Sequence, residues 1–417
     1  RAVAAECRTI AGPDVKLSYA ADWSEYFGHQ PPGGDVRFHL DPLWADAVID
    51  YVGIDWYPPL TDWRDGDGGL DAEDFSHQAD RDYLAQGVAG GEGFDWFYAD
   101  GEARTAQNRT PIEDTAHGEH WVYRPKDLIG WWSHPHHERI DGVRSSTPTG
   151  WLPGMKPIRL TEFGCAAVDR GGNAPNLFFD SKSAESALPP FSTGRRSDRM
   201  QRRALEAILA HFATPTNNPA ATAYAGRMLE AADAWCWDAR PYPAFPARKD
   251  VWADASAWRT GHWLNGRLVG DVAAMIAAVL RRGGLGEDDF VIEGVDGEVT
   301  GYAIDRPMRT RDALEPLLRA VDAVIAERDG RVAILGHEAL VTSIEADALA
   351  LPDEGAAVRA DRILEERPST ARVRYIDDLA DHQTAAVVLR RETEAGGGAV
   401  DMDLPLACSP EQARLAA

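Results

Sequence analysis

Four short apolar segments in the first 260 residues predict the strands of a single sheet. They cover residues 15–23, 48–57, 157–164 and 232–238, and each ends in polar or aromatic residues. Helical segments lie between them, with residues 42–47 leading into the second strand and residues 197–213 preceding the fourth. Strands that alternate with helices favour a parallel sheet. Four such units amount to half of an eight-unit β/α barrel.

The segment 197–213 has the most regular helical pattern of the chain. Its apolar residues recur at a spacing of four, and Ser197 stands where an N-cap is expected. These apolar residues are Met200, Ala204, Ile208 and Phe212. The pattern predicts a helix with one buried face.

Half a barrel leaves an open sheet edge and an uncovered core. The chain opens at Arg1 without a Met and runs directly into a predicted helix over residues 1–10. We therefore expect the other half of the barrel to precede Arg1, and the chain to be a piece of a longer protein. A long insertion, residues 60–154, separates the second and third predicted strands.

The character of the sequence changes near residues 261–270, where the aromatic density ends. We place the domain boundary between residues 264 and 265, which gives domains 1–264 and 265–417. The second domain is predicted to be a small α+β domain. Its predicted elements are helices 271–282 and 310–326, a short segment 299–304, a hairpin 327–335 turning on Asp329–Gly330, a strand 372–376 and a helical or extended stretch from 381.

The net negative charge of the chain disfavours anionic partners. The formal net charge is −24, and a field of that sign repels phosphate backbones and anionic lipid surfaces. Direct nucleic-acid binding is not expected. No apolar run reaches the roughly 18 residues that a membrane span needs, so no span is expected. The four cysteines are far apart and predict free thiols.

Glu162 is the leading candidate for catalysis. It ends the apolar run in KPIRLTEFG, residues 156–164, and functional residues of β/α barrels lie at the carboxyl ends of strands. A carboxylate there could attack an anomeric carbon if a second carboxyl group lies about 5–5.5 Å away. The alternative is structural: a strand-end glutamate that pairs with an arginine or caps a helix.

Aromatic and acidic residues occur together at the other strand ends. Aromatic faces beside carboxylates suit sugar rings, because the C–H face of a sugar stacks on an indole while the acid binds hydroxyls. The alternative is that the tryptophans belong to the core. The candidate substrate-binding residues are Asp22, Trp23, Asp55, Trp56, Tyr57, Trp235, Trp237 and Asp238.

Neither a metal nor an organic cofactor is expected. The run SHPHHE, residues 133–138, lacks the spacing of a zinc helix, and Pro135 interrupts any helical face. The acidic run 62–74 does not match the twelve-residue calcium loop. Signatures for dinucleotides, phosphate loops and serine hydrolases are absent from the sequence.

Two stretches of the first domain resemble a known family. Residues 131–198, which include WWSHPHHERIDG and KPIRLTEFGCAAVDRGG, are similar to the barrel domain of the large multidomain tail protein of gene transfer agents. These are phage-like particles of α-proteobacteria. Residues 22–66, beginning DWSEYFGHQPPGG, resemble the same domain. Residues 265–417 resemble, more weakly, the tail-hub domain that follows it.

The resemblance implies an α/β chain that holds the C-terminal half of a glycosidase-like (β/α)8 TIM-type barrel, strands five to eight, followed by a small α+β tail-hub-like domain. Glu162 then falls on the nucleophile of retaining glycosidases. The matching acid/base would lie at the end of strand four, before Arg1. Whether the barrel is catalytic is therefore left open.

The resemblance also implies a role and partners. The chain is expected to be a structural component of the tail or baseplate of a particle assembled in the bacterial cytoplasm. Expected partners are other tail and baseplate subunits, further copies in a homo-oligomeric ring, commonly a trimer, and a bacterial surface glycan. The alternative is an active retaining glycoside hydrolase acting on surface polysaccharide or peptidoglycan. A free-standing cytoplasmic glycosidase is disfavoured, because it would need the whole barrel in one chain.

Overall fold

The structure is a computed structural model that describes residues 1–64, 69–75, 77–180, 183–184, 186–264, 270–336, 368–378, 380, 382–391 and 398–416. It divides into two compact units, Arg1–Gly266 and Arg267–Ala417. Parts of the acidic run 62–74 and of the expected boundary region, together with residue 381, lie outside the described residues.

The first unit contains a sheet of four parallel strands in chain order. These strands are β1 Ala20–Asp22, β2 Val52–Trp56, β3 Ile158–Phe163 and β4 Leu229–Ala234. The parallel pairing is the one that the sequence predicts. The fourth strand begins and ends earlier than predicted, because residues 235–238 continue as a loop. The described residues give this sheet four strands, so a closed eight-stranded barrel stays a prediction.

Seven helices of the first unit accompany this sheet in the described residues. They are α1 Ala2–Ala11, α2 Asp41–Trp44, α3 Arg81–Val88, α4 Gly101–Ala106, α5 Leu128–Ser133, α6 Asp198–Ala213 and α7 Ala244–Ala247. Helices α3, α4 and α5 belong to the insertion between β2 and β3. Short 3-10 turns cover Leu70–Glu73, His120–Tyr123, Gly171–Asn173 and Ala255–Arg259. Two-residue ladders pair Trp96–Phe97 with Thr110–Pro111 and Arg139–Ile140 with Val143–Arg144.

Helix α6 confirms the predicted pattern. The Ser197 side chain accepts a hydrogen bond from the Met200 amide and so caps the first turn. The four residues at a spacing of four are all buried against the sheet side of the core. That core also contains the inward residues of the strands, among them Ile54, Ile158 and Leu160.

The second unit is built from three helices and six longer strands in the described residues. The helices are α8 Val272–Arg282, α9 Thr310–Ala320 and α10 Pro410–Leu415, and a 3-10 turn covers Glu287–Asp289. The strands are β5 Phe290–Glu293, β6 Val324–Arg328, β7 Arg331–Leu335, β8 Thr370–Asp377, β9 Gln383–Arg390 and β10 Ala399–Cys408.

Two sheets organise these strands. In the first, β7 lies between β5, which is parallel to it, and β6, which is antiparallel. In the second, the order is Gly301–Tyr302, β10, β8, β9. Gly270–Asp271 pairs separately with Glu298–Val299. The core of this unit contains Val272, Ile276, Leu317, Ile334 and Leu406, along with other apolar residues of the same helices and strands.

The hairpin β6–β7 confirms one prediction and corrects another. It turns on Asp329 and Gly330, which have φ of 53° and 72°, the backbone that a two-residue type I′ turn requires. The helix predicted over 310–326 ends at Ala320, however. Asp322 adopts a φ of 50°, which breaks the helix, and the chain then enters β6, whose Ile325 pairs with Ile334.

None of the helices in the described part of the chain combines the length and the apolar character that a membrane crossing requires.

Candidate functional site

Three carboxylates form a row across neighbouring strands of the parallel sheet. Asp22 ends β1, Asp55 lies near the end of β2, and Glu162 lies near the end of β3. The strand register pairs Asp22 with Asp55 and Asp55 with Glu162. Because parallel strands finish at the same sheet edge, residues separated by long stretches of sequence are brought together here.

Burial and the nearby charge of Asp55 both affect the pKa of Glu162. The side chain is half-buried, and burial is the main reason that its pKa is raised above the ordinary value for glutamate. The nearby charge of Asp55 raises this pKa further. The Tyr57 hydroxyl donates a 3.0 Å hydrogen bond to Oε2 of Glu162 and partly offsets both effects.

The pKa of Asp55 is also raised above its ordinary value. Burial raises its pKa, and the charge of Asp22 adds to that effect. The Thr161 hydroxyl donates a 2.8 Å hydrogen bond to Oδ1 of Asp55, which acts in the opposite sense. Two neighbouring carboxylates that both resist ionisation are typical of functional sites, although ion-pair networks also perturb pKa values.

Tyr57 is a fixed hydrogen-bond donor to Glu162. It is buried, and its ring makes an edge contact with His262 at 5.7 Å between centroids. Burial raises its pKa far above the ordinary tyrosine value, and the charge of Glu162 raises it further. The phenol therefore remains protonated and can hold one oxygen of Glu162 in place.

Trp235 and Trp237 follow β4 as exposed aromatic residues. They are 47% and 75% exposed, respectively, which is unusual for indoles. The backbone amide of Trp235 donates to the Phe163 carbonyl oxygen at 2.8 Å, so the loop continues alongside the end of β3. The peptide bond between Trp235 and Cys236 is cis. The two indoles therefore lie on the loop next to the strand that carries Glu162.

Asp238 is engaged in internal contacts. Its carboxylate accepts hydrogen bonds from the Arg240 guanidinium and, at 2.7 Å, from Nε1 of Trp263. The Arg240 hydrogen bond is the main reason that its pKa is lowered. These contacts favour a role in shaping the loop after β4.

Trp56 does not belong to the site, which corrects its selection from the sequence. It is 1% exposed and packs in the core, with an edge contact to Phe212 at 6.2 Å. Successive side chains of a strand point to opposite faces, so Trp56 lies opposite its neighbours Asp55 and Tyr57. Trp23 is half-buried, and its backbone amide donates to the Asp55 carbonyl oxygen at 2.9 Å.

The histidine run of the insertion has a structural role. His136 is fully buried, with its ring nitrogens 2.8 Å from Oδ2 of Asp41 and 2.8 Å from the Trp131 carbonyl oxygen. Its ring stacks on Phe38 at 4.5 Å between centroids. Among the described residues, no group of three or more His, Cys, Asp or Glu side chains is arranged to hold a metal ion.

Sequence reasoning singled out Glu25 beside Asp22, but it missed Thr161 and the two partners of Glu25, Tyr19 and His39. Thr161 reaches Asp55 where the register between β2 and β3 shifts, an irregularity that has no signal in the sequence. Beside the end of β1, the Tyr19 hydroxyl lies 3.3 Å from Oε2 of Glu25. Nε2 of His39 lies 3.7 Å from the other oxygen of Glu25. In the sequence, the alternation of Asp55, Trp56 and Tyr57 along β2 is the signal that could have placed Asp55 and Tyr57 on one face of the sheet and Trp56 on the other.

Comparisons with known proteins give two family matches. Residues 1–246 match the model of the GTA TIM-barrel-like domain, and residues 309–417 match that of a putative phage tail protein. No curated protein matches the chain. Among solved structures, one chain of the "Virion of native gene transfer agent (GTA) particle" is 28% identical, with a TM-score of 0.33. That likeness covers 39% of this chain and 37% of the virion chain, so this chain spans well under half of the virion protein that it matches.

Proposed function

Because the chain belongs to the GTA TIM-barrel-like domain family, we propose that it is a structural component of a gene transfer agent tail or baseplate whose first unit binds bacterial envelope glycans. The observation that carries the tail role is the presence of both families in one chain. The family expected from the sequence is confirmed by these matches. Glycan binding by the first unit is the more specific part of the proposal.

The strand-end site supports glycan binding. The carboxylates of Asp22, Asp55 and Glu162 can accept hydrogen bonds from sugar hydroxyls. Trp235 and Trp237 present large apolar rings to solvent on the adjoining loop. A few polar groups beside aromatic surfaces are the usual composition of a small-molecule site.

Binding can be measured with the full chain and purified envelope polysaccharide or solubilised peptidoglycan. Trp237→Ala is expected to weaken binding about tenfold, which corresponds to the loss of one aromatic contact. The matched control is Leu152→Ala, since Leu152 is also a highly exposed apolar residue. Equal affinity of wild type and Trp237→Ala for every envelope fraction would contradict glycan binding at this loop.

A retaining glycoside hydrolase is the second candidate function. Retaining enzymes use two carboxyl groups about 5–5.5 Å apart, one as nucleophile and one as acid/base. Glu162 lies near the carboxyl end of β3, where burial and the charge of its register partner Asp55 raise its pKa. In this mechanism Glu162 would be the nucleophile, and the acid/base expected before Arg1 would protonate the leaving oxygen.

A hydrolysis assay distinguishes a glycan-binding tail component from a glycoside hydrolase. Release of reducing sugar from envelope polysaccharide by wild type, abolished in Glu162→Gln, would establish the hydrolase. Binding without release by either protein would leave the first unit as a glycan-reading part of a tail. Glu162→Gln preserves the side-chain shape and its ability to accept from Tyr57, so loss of folding is not expected.

The second unit is proposed to assemble as a homo-oligomeric ring, commonly a trimer, among other tail and baseplate subunits of a particle assembled in the cytoplasm. Two strands at sheet edges, β6 and β9, carry exposed apolar residues that could be covered by neighbours. These residues are Val324, Ile325, Val388 and Leu389. Native mass spectrometry of the full chain tests the ring, and a monomer at all concentrations would oppose it.

A further inference from the structure

A cavity of about 530 Å³ opens between the sheet edge and the insertion. Trp23, directly after β1, and Pro59, shortly after β2, form one side. Gln30, between β1 and β2, also lines the cavity, and residues of the insertion form the rest, among them Phe97 and Tyr123. The volume falls within the roughly 300–1,000 Å³ of typical ligand pockets. Trp23 directly follows Asp22 in the chain, so one wall of the cavity is formed by the residue next to the carboxylate row.

Three aromatic rings contribute to the walls of the cavity. Trp23, Phe97 and Tyr123 all line the cavity, and Phe97 is 43% exposed although it is a large apolar residue. Tyr123 is held in position, since its hydroxyl accepts a 2.7 Å hydrogen bond from Arg139. A concave surface with several rings and a few polar groups suits a ligand that has flat apolar faces and hydroxyls.

Every charged side chain among the described residues that line the cavity is acidic. Glu92 and Asp114 are neutralised by arginines outside the lining: Arg104 donates to Glu92 at 2.9 Å, and Arg139 donates to Asp114 at 2.8 Å. Glu113 is exposed and makes no hydrogen bond or ion pair within the described part of the chain. The cavity therefore presents one uncompensated carboxylate and repels anionic ligands.

We infer that this cavity is a second sugar-binding pocket, which takes a neutral or amino sugar of the same glycan and rejects acidic sugars. This inference rests on the proposed glycan binding and deepens it. Trp23, Phe97 and Tyr123 supply the stacking surfaces, and Glu113 receives a hydroxyl or an ammonium group. A uronate or a phosphorylated sugar would bring its charge against Glu113 without a cationic side chain in the lining to compensate.

The test uses the full chain and three tetrasaccharides with the same β-1,4 backbone: cellotetraose, the glucosamine tetramer from chitosan, and tetra-glucuronate. Calorimetric titration is expected to show binding of the first two and at least tenfold weaker binding of the uronate. Phe97→Ala is expected to weaken cellotetraose binding about tenfold. Glu113→Gln is expected to reduce the preference for the glucosamine tetramer over cellotetraose up to about fivefold, because the amide can still bind a hydroxyl but cannot pair with an ammonium group.

The control variant is Glu102→Gln, an exposed glutamate of α4 that does not line the cavity. The inference is overturned if the uronate binds as well as cellotetraose, if none of the three probes binds, or if Phe97→Ala has no effect. Binding that Trp237→Ala weakens and Phe97→Ala leaves intact would overturn the second pocket while preserving the proposed function. Absence of binding to every envelope fraction as well would overturn both.

Discussion

The two units of the chain differ in where they place polar groups. All 14 tryptophans lie in Arg1–Gly266, and the second unit contains three aromatic residues, Phe290, Tyr302 and Tyr375. In the first unit, parallel strands end together and bring three carboxylates into a row. In the second, four of the six strand pairings are antiparallel, and among the described residues carboxylates are register partners only at Asp271 and Glu298, where two two-residue strands pair. This difference is the reason for proposing ligand binding in the first unit and assembly in the second.

The largest expected effect concerns the buried pair in the first unit. Asp41→Ala removes the partner of His136, and both side chains are almost fully buried. Breaking such a pair is expected to lower the free energy of unfolding by about 3–5 kcal/mol, because the remaining polar group stays buried without its partner. Urea unfolding followed by tryptophan fluorescence measures the change.

The matched control lies in the second unit. Asp312→Ala removes an exposed ion pair with Arg309, and no measurable loss of stability is expected. If both substitutions had the same effect, burial would not be what makes the Asp41–His136 contact stabilising.

A cavity in the second core is expected to have the next largest effect. Leu317→Ala should cost about 3 kcal/mol, since Leu317 is fully buried among apolar side chains of that unit. Far-ultraviolet circular dichroism should report the change, and tryptophan fluorescence should report less of it, because the second unit has no tryptophan. Identical shifts by both probes would show that the units unfold as one.

Glu162→Gln is expected to stabilise the protein at neutral pH. The folded state raises the pKa of Glu162, so the protonated form is favoured by folding and the ionised form opposes it. This penalty is absent below the ordinary glutamate pKa and grows as the pH rises through the folded pKa. The variant should therefore melt about 1–3 °C higher than wild type at pH 7. The two should melt alike below about pH 4. A lower melting temperature of the variant at pH 7 would contradict the assignment.

The smallest effect is expected from Tyr57→Phe. Removing the hydroxyl deletes the hydrogen bond that favours ionised Glu162, so the pKa of Glu162 should rise further. Carbon-13 NMR titration of the glutamate carboxyl groups measures this change. An unchanged or lowered pKa would mean that the phenol does not hold this carboxylate.

Much of the fold could be predicted from local patterns. The spacing of Met200, Ala204, Ile208 and Phe212 located helix α6, and apolar runs located the four parallel strands. The end of α9 could not be predicted as well, because the left-handed backbone at Asp322 and the pairing of Ile325 with Ile334 depend on tertiary structure.

The site was only partly predictable. Strand-end position singled out Asp22, Asp55 and Glu162, which the register does bring side by side. The shift that turns Thr161 towards Asp55 depends on how two distant segments pair. The cavity of the insertion was not predicted, since its walls come from residues far apart in a segment without a regular pattern.

The central claim is that this chain is a structural component of a gene transfer agent tail. Immunogold electron microscopy of purified particles, with an antibody raised against the second unit, tests it most directly. Gold particles at the tail end of intact particles are the predicted result. Purified tailed particles that carry no label, while the same antibody detects the chain in the cells that produced them, would contradict the claim.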